Sequence, residues 1–186
     1  MTPMLGIMAS SMQGGVGDYE SIATYTATSS VSTISFTSIP GTYKHLQIRF
    51  LARCSRSDYT VAALYARFNS DTASNYSGHY LVGDGSTSFA YGGANYGFAP
   101  AGLASGANSG TNVFSVGVVD ILDYQNTNKY KTVRSLSGVN RNATGDEINL
   151  QSGNWRNTAA ITSIDFTLET NATFSQYSTF ALYGVK

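Results

Sequence analysis

Asn112–Val139, NVFSVGVVDILDYQNTNKYKTVRSLSGV, is the stretch whose reading decides the fold. Phe114, Val116 and Val118 alternate with Ser115 and Gly117, the period-two pattern of a half-buried strand. From Val118 to Leu122 the alternation gives way to an apolar run broken only by Asp120. That predicts a central strand covered on both faces, or a bulge that re-aims its second half. Gln125-Asn126-Thr127-Asn128 supplies a turn, because Asn tolerates left-handed backbone angles and bonds to its own backbone. Lys129–Leu136 returns as the second strand. No residue of this pair has the character of a catalytic group, and the pair reads as a scaffold.

Strand patterns continue on either side of it. Tyr19–Ala27 and Val31–Ser38 read as a hairpin across Thr28-Ser29-Ser30, with Ile34 and Phe36 facing inward and Pro40-Gly41 ending it. Tyr43–Cys54 has the cleanest alternation: Leu46, Ile48, Phe50 and Ala52 on one face, His45, Gln47, Arg49 and Arg53 on the other. Val61–Asn69 follows, with Leu64, Ala66 and Phe68 inward. Ser70–Tyr76 reads as a turn before a strand at Gly78–Val82. Residues 83–112 hold eight of the nineteen glycines together with Tyr91, Tyr96 and Phe98, and read as a long loop with at most one weak strand. After the scaffold pair come Glu147–Gln151, a loop at 153–160 holding the only Trp, and strands at Ile161–Glu169 and Tyr177–Val185.

No amphipathic helix of three turns is visible. About eight to ten short strands separated by turn signals predict an all-β, antiparallel β-sandwich, jelly-roll-like, with its first and last strands adjacent. Residues 1–18 read as an extended N-terminal arm and 19–186 as one sandwich domain.

Composition narrows the function classes. Charged residues make up 12% of the chain against the usual ~25%, and the formal net charge is zero. A neutral chain offers no basic face for bulk nucleic acid or anionic membrane. No apolar run approaches the ~20 residues of a membrane helix. A surface of Ser, Thr, Asn, Gly and Tyr suits a protein packed against others, since interfaces favour Tyr and disfavour Lys and Glu. A secreted β-protein with a neutral surface has the same composition. Cys54 is the only cysteine, so no internal disulfide is expected and it reads as a small buried hydrophobe.

The leading MTPMLGIMASSM is apolar, but the first basic residue is Lys44, so the charged start of a secretory signal is missing. Synthesis and retention in a cytoplasm, or release by lysis, are expected. Burying Met4, Leu5, Ile7 and Met8 would gain about 1.5–3 kcal/mol each. Ordering a dozen residues costs ~1–2 kcal/mol per residue. Extra contacts are therefore needed, from the arm's own domain or from a neighbouring subunit.

Catalytic chemistry finds little to work with. His45 and His79 lie on different strands and neither accompanies a G-x-S-x-G elbow. Two histidines and one remote cysteine do not make a zinc set, and no cofactor is expected. Asp120 and Asp123, with Asp146 and Glu147, invite comparison with a glycosidase carboxylate pair. Asp120 and Asp123 have opposite parity, however, and read as a hydrogen-bonded strand aspartate and a strand-end turn. Asn69, Asp71 and Asn75 offer oxygen ligands to calcium without the Asp-rich loop and its glycine. His45, Arg49 and Arg53 form either a solvated face or a docking face for an acidic partner. Tyr91, Tyr96 and Phe98 either stack on sugars, anchor an interface, or fold back to cap the sandwich.

Six blocks carry a likeness: YESIAT (19–24), SIPGTYKHLQIR (38–49), FNSDTASNYSGHYL (68–81), DILDYQNTNKYKTVRSL (120–136), WRNTAAITSI (155–164) and FALYGVK (180–186). Together with the short start MLGIMASS, they resemble a family of virion-associated structural proteins of tailed bacteriophages, many of them aquatic. The DILDY–NTNKYKT block is the most specific part and residues 83–112 the least. The resemblance implies a non-enzymatic virion protein with no catalytic residues to carry over. The expectation is a head decoration or cement protein, a homo-oligomer with a trimer favoured, docked on the major capsid protein or other virion proteins through Met4, Leu5, Ile7 and Met8. Its rival is a tail-fibre or baseplate module binding a host surface glycan through Tyr91, Tyr96 and Phe98. A secreted polysaccharide-degrading enzyme on a jelly-roll scaffold is the third reading.

Overall fold

A computed structural model describes residues 18–141 and 146–186. Among these residues the strands are β1 (Tyr19–Thr26), β2 (Ile34–Phe36), β3 (His45–Ala52), β4 (Val61–Phe68), β5 (Tyr76–Gly83), β6 (Ser88–Tyr96), β7 (Ala99–Ser105), β8 (Ser115–Leu122), β9 (Lys131–Val139), β10 (Glu147–Trp155), β11 (Ile164–Leu168) and β12 (Thr179–Val185). They form an eight-stranded sheet, β1-β12-β3-β8-β9-β10-β5-β6, facing a four-stranded sheet, β2-β11-β4-β7. Neighbouring strands are antiparallel throughout.

The order becomes simple once the hairpins β5–β6 and β9–β10 are set aside. What remains is β1-β12-β3-β8 over β2-β11-β4-β7, the strand order of a jelly roll. The two hairpins then extend the larger sheet beyond β8. The fold is therefore an antiparallel β-sandwich, with β1 beside β12 as the sequence led one to expect.

The scaffold pair lies at the middle of the larger sheet, β8 against β9. Its turn is held by Lys131, whose buried ammonium donates to the carbonyls of Asn126 (2.6 Å), Lys129 (3.0 Å) and Thr158 (3.0 Å). Burial pushes this ammonium's pKa down, while the three carbonyls supply the acceptors a charged group needs. The NTNKYKT block is thus a folding device that ties the turn to the 156–160 segment.

The inter-sheet core is aromatic on the jelly-roll side. Phe180 stacks on Phe50 at 5.4 Å and meets Phe166 and Phe174 at 5.1 and 5.4 Å. Leu46, Ile48, Phe50 and Ala52 of β3 all point into it, as their alternation required. Ile34, Leu64, Ala66, Phe68, Ile164, Phe166 and Leu168 supply the opposite layer. Cys54 is fully buried, and burial raises its thiol pKa.

Four expectations need correction. Tyr19–Ala27 and Val31–Ser38 are not a hairpin, because β1 pairs with β12 and β2 pairs with β11 in the other sheet. The short link between them crosses from one layer to the other. Residues 83–112 are not a loop but contain β6 and β7. The small residues of Ala99–Ser105 are all buried because β7 lies close against the larger sheet; a Cβ on Gly78 or Gly153 would come within 2.9 or 2.8 Å of Pro100. Trp155 is not a loop residue but the buried end of β10, its Nε1 donating to Asp71 at 2.8 Å. Lastly, Asp18 belongs with the sandwich, since Lys186 N donates to its carbonyl at 3.1 Å.

Candidate docking face

On β8 the inward positions are Ser115, Gly117, Val119 and Ile121, so Val116 and Val118 face outward. Gly117 is required there, because a Cβ would stand 2.2 Å from the Phe50 ring. The same inversion continues on the added hairpins. Ser135 and Ser137 of β9 and Asn149 and Gln151 of β10 point inward, while Leu136, Ile148 and Leu150 point to the outside.

Strand register places these outward side chains in two neighbouring rows. One runs Ala181, Arg49, Val118, Leu136, Leu150, Leu81. The next runs Thr179, Leu51, Val116, Gly138, Ile148, Gly83. Ile148 is 65% exposed, Val116 59%, Leu81 52%, Leu51 and Leu136 49% each, and Leu150 44%, so no element among the described residues covers them. Gly138 leaves the gap between Val116 and Ile148 that deepens the rows into a groove of about 710 Å³. A contiguous apolar face of this kind marks an interaction surface, where a scattered leucine would mean nothing.

A polar row borders the face and closes on itself. Gln47 Nε2 donates to Asp120 Oδ1 at 2.9 Å, Arg134 pairs with Asp120 Oδ2 at 2.7 Å, and Arg49 Nε donates to Gln47 Oε1 at 2.9 Å. The Arg49 guanidinium also lies over the Tyr183 and Tyr19 rings at 5.1 and 5.6 Å. Its charge is turned aside from the groove.

The residues singled out from the sequence fall in separate places. Met4, Leu5, Ile7 and Met8 lie outside the described residues. His45, Arg49 and Arg53 do share strand parity, but they do not form one polar face. Leu51, standing between Arg49 and Arg53, is apolar and exposed. His45 accepts from Asp123 N at 2.9 Å at one end, and Arg53 donates to the carbonyls of Val113 (3.0 Å) and Ala107 (2.8 Å) at the other. Only Arg49 borders the groove.

Tyr91, Tyr96 and Phe98 sit on and just after β6. Phe98 stacks on Tyr65 at 3.6 Å and Tyr96 on Phe98 at 5.4 Å, so these two pack along the sandwich edge. Tyr91 stacks on Tyr80 at 4.4 Å and remains 51% exposed. Burial raises the pKa of Tyr80 and Tyr91 and pushes Tyr65 up to about 12, keeping these phenols neutral hydrogen-bonding groups.

Asp120 and Asp123 do not converge. Asp120 belongs to the outer polar row, while Asp123 has φ 49° in the turn and pairs with Lys129 at 2.8 Å, which holds its carboxyl below the ordinary range. His79 is exposed in the outer row beside Ser152. Asn69 and Asp71 turn their oxygens to N–H donors, while Asn75 Oδ1 is buried with no hydrogen-bond partner among the described residues. Asn69 Oδ1 accepts from Thr162 N and Ser163 N, and Asp71 accepts from Ala73 N, Asn75 Nδ2 and Trp155 Nε1. No cluster of three metal-ligating side chains occurs among the described residues.

Sequence alternation does not by itself reveal this face, because Leu51, Val116, Leu136, Ile148 and Leu150 lie on separate strands and only register brings them together. The alternation of Leu136, Ile148 and Leu150 with Ser135, Ser137, Asn149 and Gln151 marks two unlike faces, and the structure shows that the polar one is inside. No family model, curated protein or solved structure matches the chain.

Proposed function

We propose that this chain is a non-enzymatic structural protein of a tailed-bacteriophage particle, most simply a decoration protein docked as an oligomer on the outside of the head. The observation that carries the reading is the exposed apolar face across β3, β8, β9, β10 and β5. Fully burying an exposed Val, Leu or Ile side chain is worth about 1.5–3 kcal/mol, so six that are already about half buried supply roughly 5–9 kcal/mol. Association costs about 4–15 kcal/mol. A subunit held by one such face alone is marginal, and one held by several contacts on a lattice is secure. The arm, with Met4, Leu5, Ile7 and Met8, is the natural second contact.

The test is co-sedimentation of the full chain with particles stripped of it. A Val116→Asp, Leu136→Asp double variant should bind more than tenfold more weakly, a loss above 1.4 kcal/mol, with its melting temperature unchanged. Undiminished binding by that variant would remove the support. The half-exposed Tyr91 ring favours a second reading, a glycan-binding module on a tail fibre or baseplate. Gold-labelled antibody found on tails rather than heads would decide for it.

A further inference from the structure

Sheet edges present unpaired N–H and C=O groups, and proteins blunt them with charge, proline, bulges or short strands. Three of the four edges in this sandwich carry such a device. β1 has a register break between Ser21 and Ala23, and its Glu20 pairs with Lys186 at 3.3 Å. β2 is only three residues long. β7 carries Pro100 and a register break opposite Leu64 and Tyr65, with Gly102 at φ +127°.

β6 carries none from Ser88 to Ala94. It is nine residues, SFAYGGANY, with no charge and no proline, and its one register break falls at the far end, opposite Tyr76 and Ser77. No charged residue occurs in the sequence between Asp84 and Asp120. Seven of its nine residues are exposed and the others half-buried.

From this contrast we infer that β6 pairs antiparallel with β6 of a second copy, joining two larger sheets across a two-fold axis. An isologous antiparallel contact needs only one strand sequence, since each copy supplies what the other lacks. The absence of charge lets identical edges meet without the repulsion that like charges across a ladder would cause. Phe89 (49% exposed) and Tyr91 (51%) share one face, where two copies lay aromatic rings over one another. Ala90, Gly92 and Ala94 keep the other face low, with the His79 ring lying against Gly92. The contact is independent of the apolar groove and of the virion reading, and it requires an even number of chains in the assembly.

The experiment is analytical ultracentrifugation of the full chain from low to high micromolar concentration, with amide hydrogen exchange over residues 88–96. An even-numbered assembly is expected, with slow exchange across β6. An Ala90→Lys, Ala94→Lys variant should halve the mass and speed exchange at 88–96 by more than tenfold, leaving β3 unchanged. A single-chain mass at the highest concentration, or an odd-numbered assembly, would overturn the inference. So would protection of 88–96 that survives the lysine variant, or an assembly that Val116→Asp dissolves and the lysine variant does not. A Leu5→Asp, Ile7→Asp full chain that loses the protection would assign the edge to the leading segment instead.

Discussion

β3 and β9 lie in the same sheet with only β8 between them, yet they bury opposite kinds of side chain. β3 sends Leu46, Ile48 and Phe50 inward and His45, Gln47 and Arg49 outward. The second half of β9 sends Ser135 and Ser137 inward and leaves Leu136 half exposed. The reason is what lies beneath. Under β3 the four-stranded sheet offers phenylalanine rings, while under β9 and β10 it offers the small residues of β7, packed so close that serine and glycine fit best. Alternation therefore tells which face is apolar, not which face is inside. Where the two disagree, the apolar face is left exposed.

The comparison is broken most forcefully on its conventional side. Phe180 touches Phe50, Phe166 and Phe174, and no solvent reaches it. Phe180→Ala removes the ring at the centre of the jelly-roll core and should cost about 3–5 kcal/mol in urea unfolding. A loss below 1.4 kcal/mol, less than one decade in the folding equilibrium, would mean that the aromatic half is not what stabilises the sandwich.

A smaller effect is expected where the added hairpins are anchored. Trp155 closes the inner face of β10 and is held by Asp71, which also accepts from Asn75 and the Ala73 amide. Burial alone would raise the Asp71 carboxyl pKa, but these donors outweigh it and hold the group below its ordinary value. Asp71→Ala should cost about 2 kcal/mol by removing hydrogen bonds to a charged group. The pH dependence follows from the direction of the shift. The folded state favours the carboxylate, so the stabilisation is complete above the unfolded value of about 3.9 and is lost as pH falls through the lower folded value. Asp58, Asp84 and Asp123 titrate in the same window, their pKa values also lowered. The difference between the acid-unfolding curves of the native chain and Asp71→Asn isolates the residue: it should shrink below about pH 4. Parallel curves would show that Asp71 holds Trp155 without using its charge.

How far the chain could be read depends on the half in question. Tyr43–Cys54 gave its facing residues correctly because local pattern and tertiary burial agree there. The scaffold pair was legible as a pair, and even as central, because the turn chemistry of Gln125–Asn128 is local. Its facing was not legible, since Gly117 and Ser115 are inside only because Phe50 and β7 leave no room for larger groups. Residues 83–112 looked like a loop because glycine and alanine have low strand propensity, and here close approach between layers decides against propensity. The docking face was hidden for the same reason. The sequence carried its apolar residues openly, but only register across five strands places Leu51, Val116, Leu136, Ile148, Leu150 and Leu81 together.

The smallest expected effect is also the sharpest. If Leu136 belongs to an interface and not to this chain's own core, then Leu136→Ser should leave stability in urea within about 0.5 kcal/mol of the native chain, as exposed substitutions do. In the free protein only its cross-strand neighbours Val118 and Leu150 would lose a partly exposed contact, and the serine hydroxyl would meet water. The same change should nonetheless weaken whatever association the face makes. A cost near that of Asp71→Ala, with association unaltered, would mean the outer leucines already pack against part of the same chain. The inversion between β3 and β9 would then be satisfied within one molecule, and a partner would no longer be required.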